Sequence, residues 1–410
     1  MKPNTVILIL VATGALVGLA VWSASSEKSS PVPSAGSASS SSDGAGKPFF
    51  PVLSEKAATA STITVKRPEF TFNIVKGTDD IWHVPEKGNY PAKMDIVRQV
   101  LVGLSELHEW EPKTNRPEMY SKLGLDEPVA PPPEKSATVG LPQSTQVTVK
   151  DAAGATLADA IVGNRKPAQS SSQTGVYVRR VGESQAWLAR GDVNVPREIL
   201  GWLDAQFANL DRARVKSVTI RQPELPPLVV SRENPSVASA IQGIPAGREL
   251  KDPGVGDTLA ATLTMINFQD VAKLDSIDFS GAPDGKPGPT VEVRTFDGLV
   301  VNIVSVVKEG RQWWKLVATS DDALIAANAG TDAEKGKADA EKIHKEVADL
   351  NASWAPYAFA PLDFKARNLN QTMDDYLKPP ADANTPSTPG AGTAPPMAPG
   401  APQIPRPPKP

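Results

Sequence analysis

The sequence contains no cysteine, which excludes disulfides, thiolate nucleophiles, cysteine-based zinc sites and acylation of a lipoprotein cysteine. Histidine is scarce as well, with three residues in 410, and none has the H-E-x-x-H spacing of zinc hydrolases. No Gly-x-Ser-x-Gly motif occurs, and Gly254-Val255-Gly256 lacks the third glycine and the preceding strand of a dinucleotide-binding loop. We therefore predict a non-catalytic protein with no cofactor and no bound metal.

The sequence also lacks a large excess of positive or negative charge. The chain has 43 basic and 46 acidic residues, a net charge of −3, so no global field attracts nucleic acid. We predict no nucleic-acid partner. With 410 residues the chain is long enough for two or three domains.

One long apolar run is present, at the amino terminus. Residues 5–26 carry no charge, and about 20 such residues span a ~30 Å hydrocarbon core, longer than the apolar part of most secretory signals. We predict a transmembrane anchor over residues 5–23, with residues 1–4 in the cytoplasm because Lys2 precedes the span. The protein is then a single-pass inner-membrane protein, mostly extracytoplasmic. A cleaved signal is the alternative, because Ser23-Ala24-Ser25 offers small residues to a peptidase.

Low-complexity segments follow the anchor and end the chain. Residues 24–61 are rich in Ser, Ala, Gly and Pro and predict a disordered tether with a reach of roughly 35 Å. Residues 379–410 repeat Pro with Ala, Gly and Thr and predict a disordered tail that samples polyproline II. We interpret this tail as a spacer or solubilising segment in preference to a docking ligand.

An internal repeat lies between these ends. Ile63–Phe70 aligns without a gap to Val218–Leu225, and Val147–Lys150 then aligns to Val291–Arg294 in the same order. Alternating β-branched and polar residues predict strands, and the Pro-Glu pair in the first match predicts a turn. Two matches in one order indicate that the chain contains two related units.

Each unit also carries apolar residues at helical spacing between its matched strands. These residues are Ile96, Val100, Leu104 and Leu107 in the first unit and Leu259, Leu263 and Ile266 in the second. Hairpin-like connections between the strands favour antiparallel sheets. The predicted fold is therefore α+β, with two tandem related units, each a mainly antiparallel sheet covered by an amphipathic helix, after an N-terminal transmembrane helix.

The domain boundaries follow from this pattern. We predict a first unit over residues 62–210, a second over residues 211–319 and a helical C-terminal extension over residues 320–378. A helix with Ile199, Leu200, Leu203 and Phe207 on one side is predicted to bridge the units. A second, charged helix is predicted over residues 334–350.

Two groups of side chains are candidates for binding. Trp313 and Trp314 could stack on a sugar or another flat ligand, although neighbouring strand residues face opposite sides, so at least one is expected in the core. Arg212, Arg214 and Lys216 form a small basic cluster at the junction of the units. We interpret that cluster as an exposed linker in preference to a phosphate site.

Acidic pairs occur at Asp79-Asp80, Asp275 with Asp278, Asp321-Asp322 and Asp374-Asp375. Paired carboxylates serve in glycoside hydrolysis or hold a hard cation. Asp79-Asp80 and Asp321-Asp322 fall where turns or helix caps are expected, and Asp fills such positions for local hydrogen-bonding reasons. We therefore predict structural roles for them.

Several segments resemble a known family. They are Trp82-His83-Val84-Pro85, Asn89-Tyr90-Pro91-Ala92-Lys93, Leu123-Gly124-Leu125-Asp126-Glu127-Pro128, Ile161-Val162-Gly163 and Gly175-Val176-Tyr177-Val178-Arg179, and they are similar to the envelope proteins of domain-of-unknown-function family 4340. The resemblance covers residues 62–210 well and the second unit weakly. It implies an anchor, an extracytoplasmic body, association with gliding-motility-type ABC-transporter components and no catalytic residues. The insertion Val129–Ser144 and the Pro-rich tail depart from the family pattern.

We therefore expect a membrane-anchored accessory or scaffold protein of an ABC-transporter-type envelope assembly, with the membrane and other envelope proteins as partners. An extracytoplasmic protein that binds a glycan or small ligand in a cleft between the units is the alternative. A hydrolase using an acid pair is the third hypothesis.

Overall fold

The computed structural model describes residues 46–129, 144–166, 174–280 and 286–379, and these residues form two nine-stranded antiparallel sheets with helices. The α+β class predicted from the sequence is confirmed. The predicted anchor over residues 5–23 lies outside the described residues, as do residues 380–410. Within the described part of the chain, no helix has both the length and the hydropathy that crossing a bilayer requires.

The first sheet has the strand order β4-β3-β2-β1-β6-β7-β8-β9-β5. Its strands are β1 (Ala60–Lys66), β2 (Thr71–Lys76), β3 (Trp82–Val84), β4 (Tyr90–Pro91), β5 (His108–Thr114), β6 (Thr145–Asp151), β7 (Thr156–Lys166), β8 (Gly175–Arg180) and β9 (Ala186–Arg190).

The second sheet has the order β10-β14-β18-β17-β16-β15-β11-β12-β13. Its strands are β10 (Gln206–Ala208), β11 (Val215–Arg221), β12 (Leu228–Ser231), β13 (Ala240–Ile241), β14 (Ile266–Lys273), β15 (Lys286–Thr295), β16 (Leu299–Lys308), β17 (Arg311–Ser320) and β18 (Tyr357–Pro361). The helices of the described residues are α1 (Pro51–Lys56), α2 (Met94–Ser105), α3 (Tyr120–Leu123), α4 (Val255–Ala260), α5 (Asp322–Ala329), α6 (Ala333–Trp354), α7 (Asp363–Asn370) and α8 (Met373–Tyr376).

The two sheets share one arrangement. The run β3-β2-β1-β6-β7-β8-β9-β5 in the first sheet corresponds to β13-β12-β11-β15-β16-β17-β18-β14 in the second. A helix directly precedes the last strand of each run, α2 before β5 and α4 before β14. The matched strands also pair in the same register, Ile63 with Val149, Val65 with Val147, Val218 with Val293 and Ile220 with Val291. These residues are all buried. The predicted strands therefore occupy equivalent places and face the core as expected.

The helical predictions hold in part. α2 carries Val100 and Leu104 into the core, and α6 covers the predicted charged helix. α4 ends at Ala260, whereas Ile266 begins strand β14, so the second predicted stripe is helical only in its first part. The chain turns at Met265, which has a left-handed backbone conformation with a φ of 48°, and the strand begins at the next residue.

The predicted bridging helix is wrong. Ile199–Trp202 forms one 3₁₀ turn, and Phe207 lies in the short strand β10. Trp202 is buried, packs edge-on against Phe72 and donates its Nε1–H to Pro196 O at 3.0 Å. A turn and a strand thus bury the same apolar residues. The spacing of these residues in the sequence did not distinguish this arrangement from a helix.

Two predicted boundaries need correction. Strand β18 lies between β17 and β14, so the predicted extension over residues 320–378 completes the second sheet instead of standing apart from it. At the other end, part of the predicted tether over residues 24–61 is ordered. Phe49 and Leu53 are fully buried, and α1 packs on the first sheet and on α2. Apolar side chains anchor this segment despite its Ser- and Ala-rich composition.

An aromatic cluster joins the two sheets. It consists of Tyr90 from the first sheet and Phe207, Phe268, Tyr357 and Phe359 from the second. Phe207 and Phe359 stack with centroids 4.4 Å apart, and the Tyr357 hydroxyl donates to Asn89 O at 3.0 Å. Burial raises the pKa of Tyr90, so its hydroxyl stays neutral inside this interface, which we call the joint between the sheets.

Charged and close backbone contacts reinforce this joint. Asp270 of the second sheet accepts hydrogen bonds from Lys87 at 2.5 Å and from Arg311 at 2.6 Å. Gly88 has a φ of 69°, and a Cβ at this position would lie 2.7 Å from the backbone nitrogen of Lys273. Only glycine allows the two backbones to approach so closely. The sheets are therefore packed directly against each other.

Candidate functional site

The structure places both predicted stacking residues in the interior. Trp314 is 0% exposed and packs near Phe207 in the main core, whereas Trp313 is 8% exposed and packs with Ile277 and Val306 on the opposite face of the sheet. Alternation along β17 explains the opposite orientations. The predicted ligand-stacking role of Trp313 and Trp314 is wrong, because neither ring is accessible to a ligand.

A tryptophan that sequence reasoning missed lies on the surface. Trp110 is on the sheet-edge strand β5, with Lys166 Nζ 5.8 Å and Arg190 Cζ 5.4 Å from its ring centroid. The ring is thus engaged by the chain's own cations. This arrangement accounts for an exposed tryptophan by intramolecular packing.

The acidic pairs supply turn and cap residues, as predicted for Asp79-Asp80 and Asp321-Asp322. Asp321 caps α5 by accepting from Leu324 N at 3.0 Å, and Asp375 forms a capping box with Thr372 at α8. Asp79 accepts from Ile81 N at 3.1 Å and Asp278 from Ser280 N at 2.8 Å. In the part of the chain that the structure describes, no cluster of three or more acidic or histidine residues has a metal-binding arrangement.

The two arginines of the basic cluster pair with acids of the same chain. The Arg214 guanidinium binds both oxygens of Glu346 on α6, at 2.7 and 2.8 Å, and its Nε donates to Asp297 at 2.8 Å. Arg212 pairs with Asp257 at 3.3 Å. A bidentate pair of this kind fixes α6 against the β15–β16 turn. These arginines are therefore structural, and a phosphate site at this position is not supported.

The Arg214 network is expected to make stability sensitive to acid. Burial acts to raise the pKa of Asp297, but hydrogen bonds from Thr295 and Arg214 and the charge of Arg214 outweigh it and hold the pKa below its usual value. A carboxyl with a lowered folded pKa stabilises above its unfolded pKa of about 3.9, and this contribution is lost as pH falls through the folded pKa.

Asp297→Asn should therefore cost stability at neutral pH and lose less than the wild type between about pH 5 and pH 2, measured by urea unfolding at each pH. Asp95→Asn is the control, because Asp95 forms an exposed pair with Arg98. Identical acid profiles for the wild type and Asp297→Asn would contradict this account.

Three of the segments that carry the family resemblance, Leu123–Pro128, Ile161–Gly163 and Gly175–Arg179, meet on the outer face of the first sheet. Residues 117–128, which we call the clip, pack there through a small cluster of Tyr120, Leu125, Ile161 and Ala186. The buried Arg179 stacks 4.6 Å from the Tyr120 ring and donates to Glu127 Oε1 at 2.5 Å and to Leu125 O. These contacts therefore hold the clip against the sheet, and the segments form a structural contact and not a reactive centre.

An apolar groove between α2 and residues 57–60, which follow α1, is the candidate interaction surface. This α1–α2 groove has a volume of about 250 Å³, and Trp82, Met94, Val97, Leu101 and Val102 are among its lining residues. Met94 and Val102 are each 42% exposed. Two cations, Lys76 and Arg98, also line it.

Exposed apolar side chains gathered at a groove indicate a binding surface, whereas scattered ones do not. The sequence did not reveal this surface, because Ala57, Ala58 and Ala60 follow α1 within residues that the composition predicted as tether. The available signal was Phe49-Phe50 followed by Leu53, three large apolar residues in an otherwise small and polar segment.

The family model of the domain of unknown function DUF4340 matches residues 82–287, which is half of the chain. The match covers the clip, strands β3 to β9 of the first sheet and strands β10 to β14 of the second sheet. No curated protein and no solved structure matched the chain.

Proposed function

The chain belongs to the DUF4340 family, and from this membership and the surface described above we propose that it is a non-catalytic, membrane-anchored accessory or scaffold protein. Residues 5–23 anchor it in the cytoplasmic membrane, and the body lies outside the cytoplasm. Its partner is a protein component of an ABC-transporter-type envelope assembly.

The α1–α2 groove supports this proposal most directly. It presents aliphatic and thioether side chains with a cationic rim, a surface suited to the apolar face of an amphipathic helix. Residues 57–60 of its lining are also close in sequence to the proposed anchor, which favours a partner in or at the same membrane. A protein helix is therefore the partner that fits this surface best.

The joined sheets suit a scaffold better than a protein that closes around a ligand. Stacked rings and the ion pairs of Asp270 fill the joint between the sheets. A binding protein that works by domain closure needs a hinge and an open cleft between its units. We further infer that the two units arose by duplication, which the shared strand order and register support.

The test is affinity purification of the full chain from detergent-solubilised membranes. The wild type should recover a stoichiometric transporter component, and the double variant Met94→Asp/Val102→Asp should recover on the order of tenfold less, because the apolar contact is lost and binding would desolvate two carboxylates. Met265→Asp is the matched control, since Met265 is exposed in the second unit.

Thermal melting of the three proteins separates a lost contact from a lost fold. Two results would contradict the proposal. One is that the wild type recovers no stoichiometric partner. The other is that the double variant retains the partner as well as Met265→Asp does.

A further inference from the structure

A second groove lies at one end of the second sheet. It has a volume of about 430 Å³ and lies between the β11–β12 turn, the loop after β13 and the residues that lead into α8. Its apolar lining includes Leu225, Pro226, Pro227, Pro245 and Met373. We call it the hairpin groove.

Polar groups stand at defined places around this lining. Gln222 Nε2 donates to Gln371 O at 2.8 Å and holds the segment before α8 against the turn. The Gln242 amide and the Asp374 carboxylate also line the groove. The Asp374 side chain is 82% exposed and lies 3.5 Å from Arg248. The groove thus combines apolar walls with an amide and a solvent-facing negative charge.

The corresponding turn of the first sheet is built differently. Gln222 corresponds to Arg67, which contacts Glu69 at 3.5 Å and Thr145 at 3.3 Å. Leu225 corresponds to Phe70, whose ring lies 5.9 Å from that of Phe72. The amide and the Leu-Pro-Pro wall therefore belong to the second unit alone, so the repeat by itself does not account for them.

The chain leaves the described body beside this groove. Lys378 N donates to Glu249 O at 2.8 Å, and Arg248 Nη2 donates to Lys378 O at 2.9 Å. Pro245, in the same loop, forms part of the groove wall. Residues 380–410 continue from this point, are rich in proline, and after Asp382 carry only two charges, on Arg406 and Lys409.

We propose that the hairpin groove binds this chain's own proline-rich segment, with Ile404–Lys409 as the contacting residues. A proline-rich strand in the polyproline II conformation makes no internal hydrogen bonds, so its rings can pack on Leu225, Pro226 and Met373 while its carbonyls accept from an amide such as that of Gln242. Arg406 and Lys409 complement the exposed Asp374. Because the segment is covalently attached, its effective concentration is about millimolar, and a weak contact is sufficient.

Disulfide cross-linking in the full chain tests this proposal, since the protein has no cysteine of its own. Gln403→Cys is combined with Glu224→Cys, an exposed residue beside the groove, in protein reconstituted into lipid nanodiscs. The matched control combines Gln403→Cys with Glu69→Cys, the equivalent glutamate of the first sheet. A second control keeps both 403 and 224 cysteines but replaces Pro402, Pro405, Pro407 and Pro408 by serine.

The 224–403 pair should cross-link within one chain on the order of fivefold faster than the same pair with the serine segment, because docking adds to tethering. Asp374→Lys should slow it as well, and the 69–403 pair should be insensitive to the serine changes. Equal rates with the proline and serine segments would overturn the proposal, since tethering alone would then explain the cross-link. A cross-link that joins two chains would overturn it too.

Discussion

Phe359→Ala is expected to lower the free energy of unfolding by about 3–5 kcal/mol, the range for removing a fully buried phenylalanine ring. Phe359 is 0% exposed, stacks on Phe207 and lies within 6.2 Å of the Tyr90 ring across the joint between the sheets. The loss should be larger than its own hydrophobic transfer because the facing rings, held by two backbones, relax only partly into the cavity. Urea unfolding followed by tryptophan fluorescence measures it.

Phe364→Ala is the matched control, because Phe364 is 51% exposed on α7, and its loss should stay below about 1 kcal/mol. The same experiment reports whether the sheets unfold together. Since the joint belongs to one continuous core, we expect a single transition for the wild type. A Phe359→Ala protein as stable as Phe364→Ala would show that the rings contribute little.

Gly163→Ala is expected to destabilise the first unit by about 2 kcal/mol or more, because a methyl group there overlaps the carbonyl oxygens of Leu123 and Gly124. Gly163 does not have a positive φ, so the cost comes from steric overlap alone. The clip must move away from the sheet, which should uncover Tyr120 and the Arg179 guanidinium. Limited proteolysis should then cut within the clip before the rest of the body.

Gly254→Ala provides the comparison, since the nearest atom to its added methyl group is a carboxylate oxygen of Asp252, 3.3 Å away on a side chain that can rotate. That variant should keep nearly wild-type stability and proteolytic resistance. If the Gly163 and Gly254 variants behave alike, the tight seating of the clip is not what fastens it.

The sequence predicts the parts of the fold that depend on neighbouring residues. Alternation at Ile63 and Val65, and again at Val218 and Ile220, is a local pattern, and these strands occur as predicted. Strand β18 could not be placed in this way, because its partners β14 and β17 lie far upstream and two helices intervene. Its pairing is decided by long-range packing of Phe359 and Ala360 and not by local propensity.

For the candidate surfaces too, local patterns were predicted from the sequence, whereas features that depend on long-range packing were not. Opposite orientations of Trp313 and Trp314 were predicted from strand alternation, but burial of both needed knowledge of what covers each face of the sheet. The α1–α2 groove depends on residues 57–60 packing beside α2, a contact between segments that composition assigned to different classes. The clip was visible as recurring motifs, yet its structural purpose became clear only when Arg179, Tyr120 and Glu127 were seen together.

The position of β18 has a consequence for how the chain matures. Each sheet is closed by its last strand, since β9 lies between β8 and β5 and β18 lies between β17 and β14. A chain that emerges amino end first therefore holds the second sheet as two separate pieces, with the edges of β14 and β17 open, until residues 357–361 arrive. Open strand edges attract other chains. Premature termination anywhere before β18 should thus yield aggregation-prone protein. We therefore expect complete synthesis of the chain to be needed to avoid aggregation.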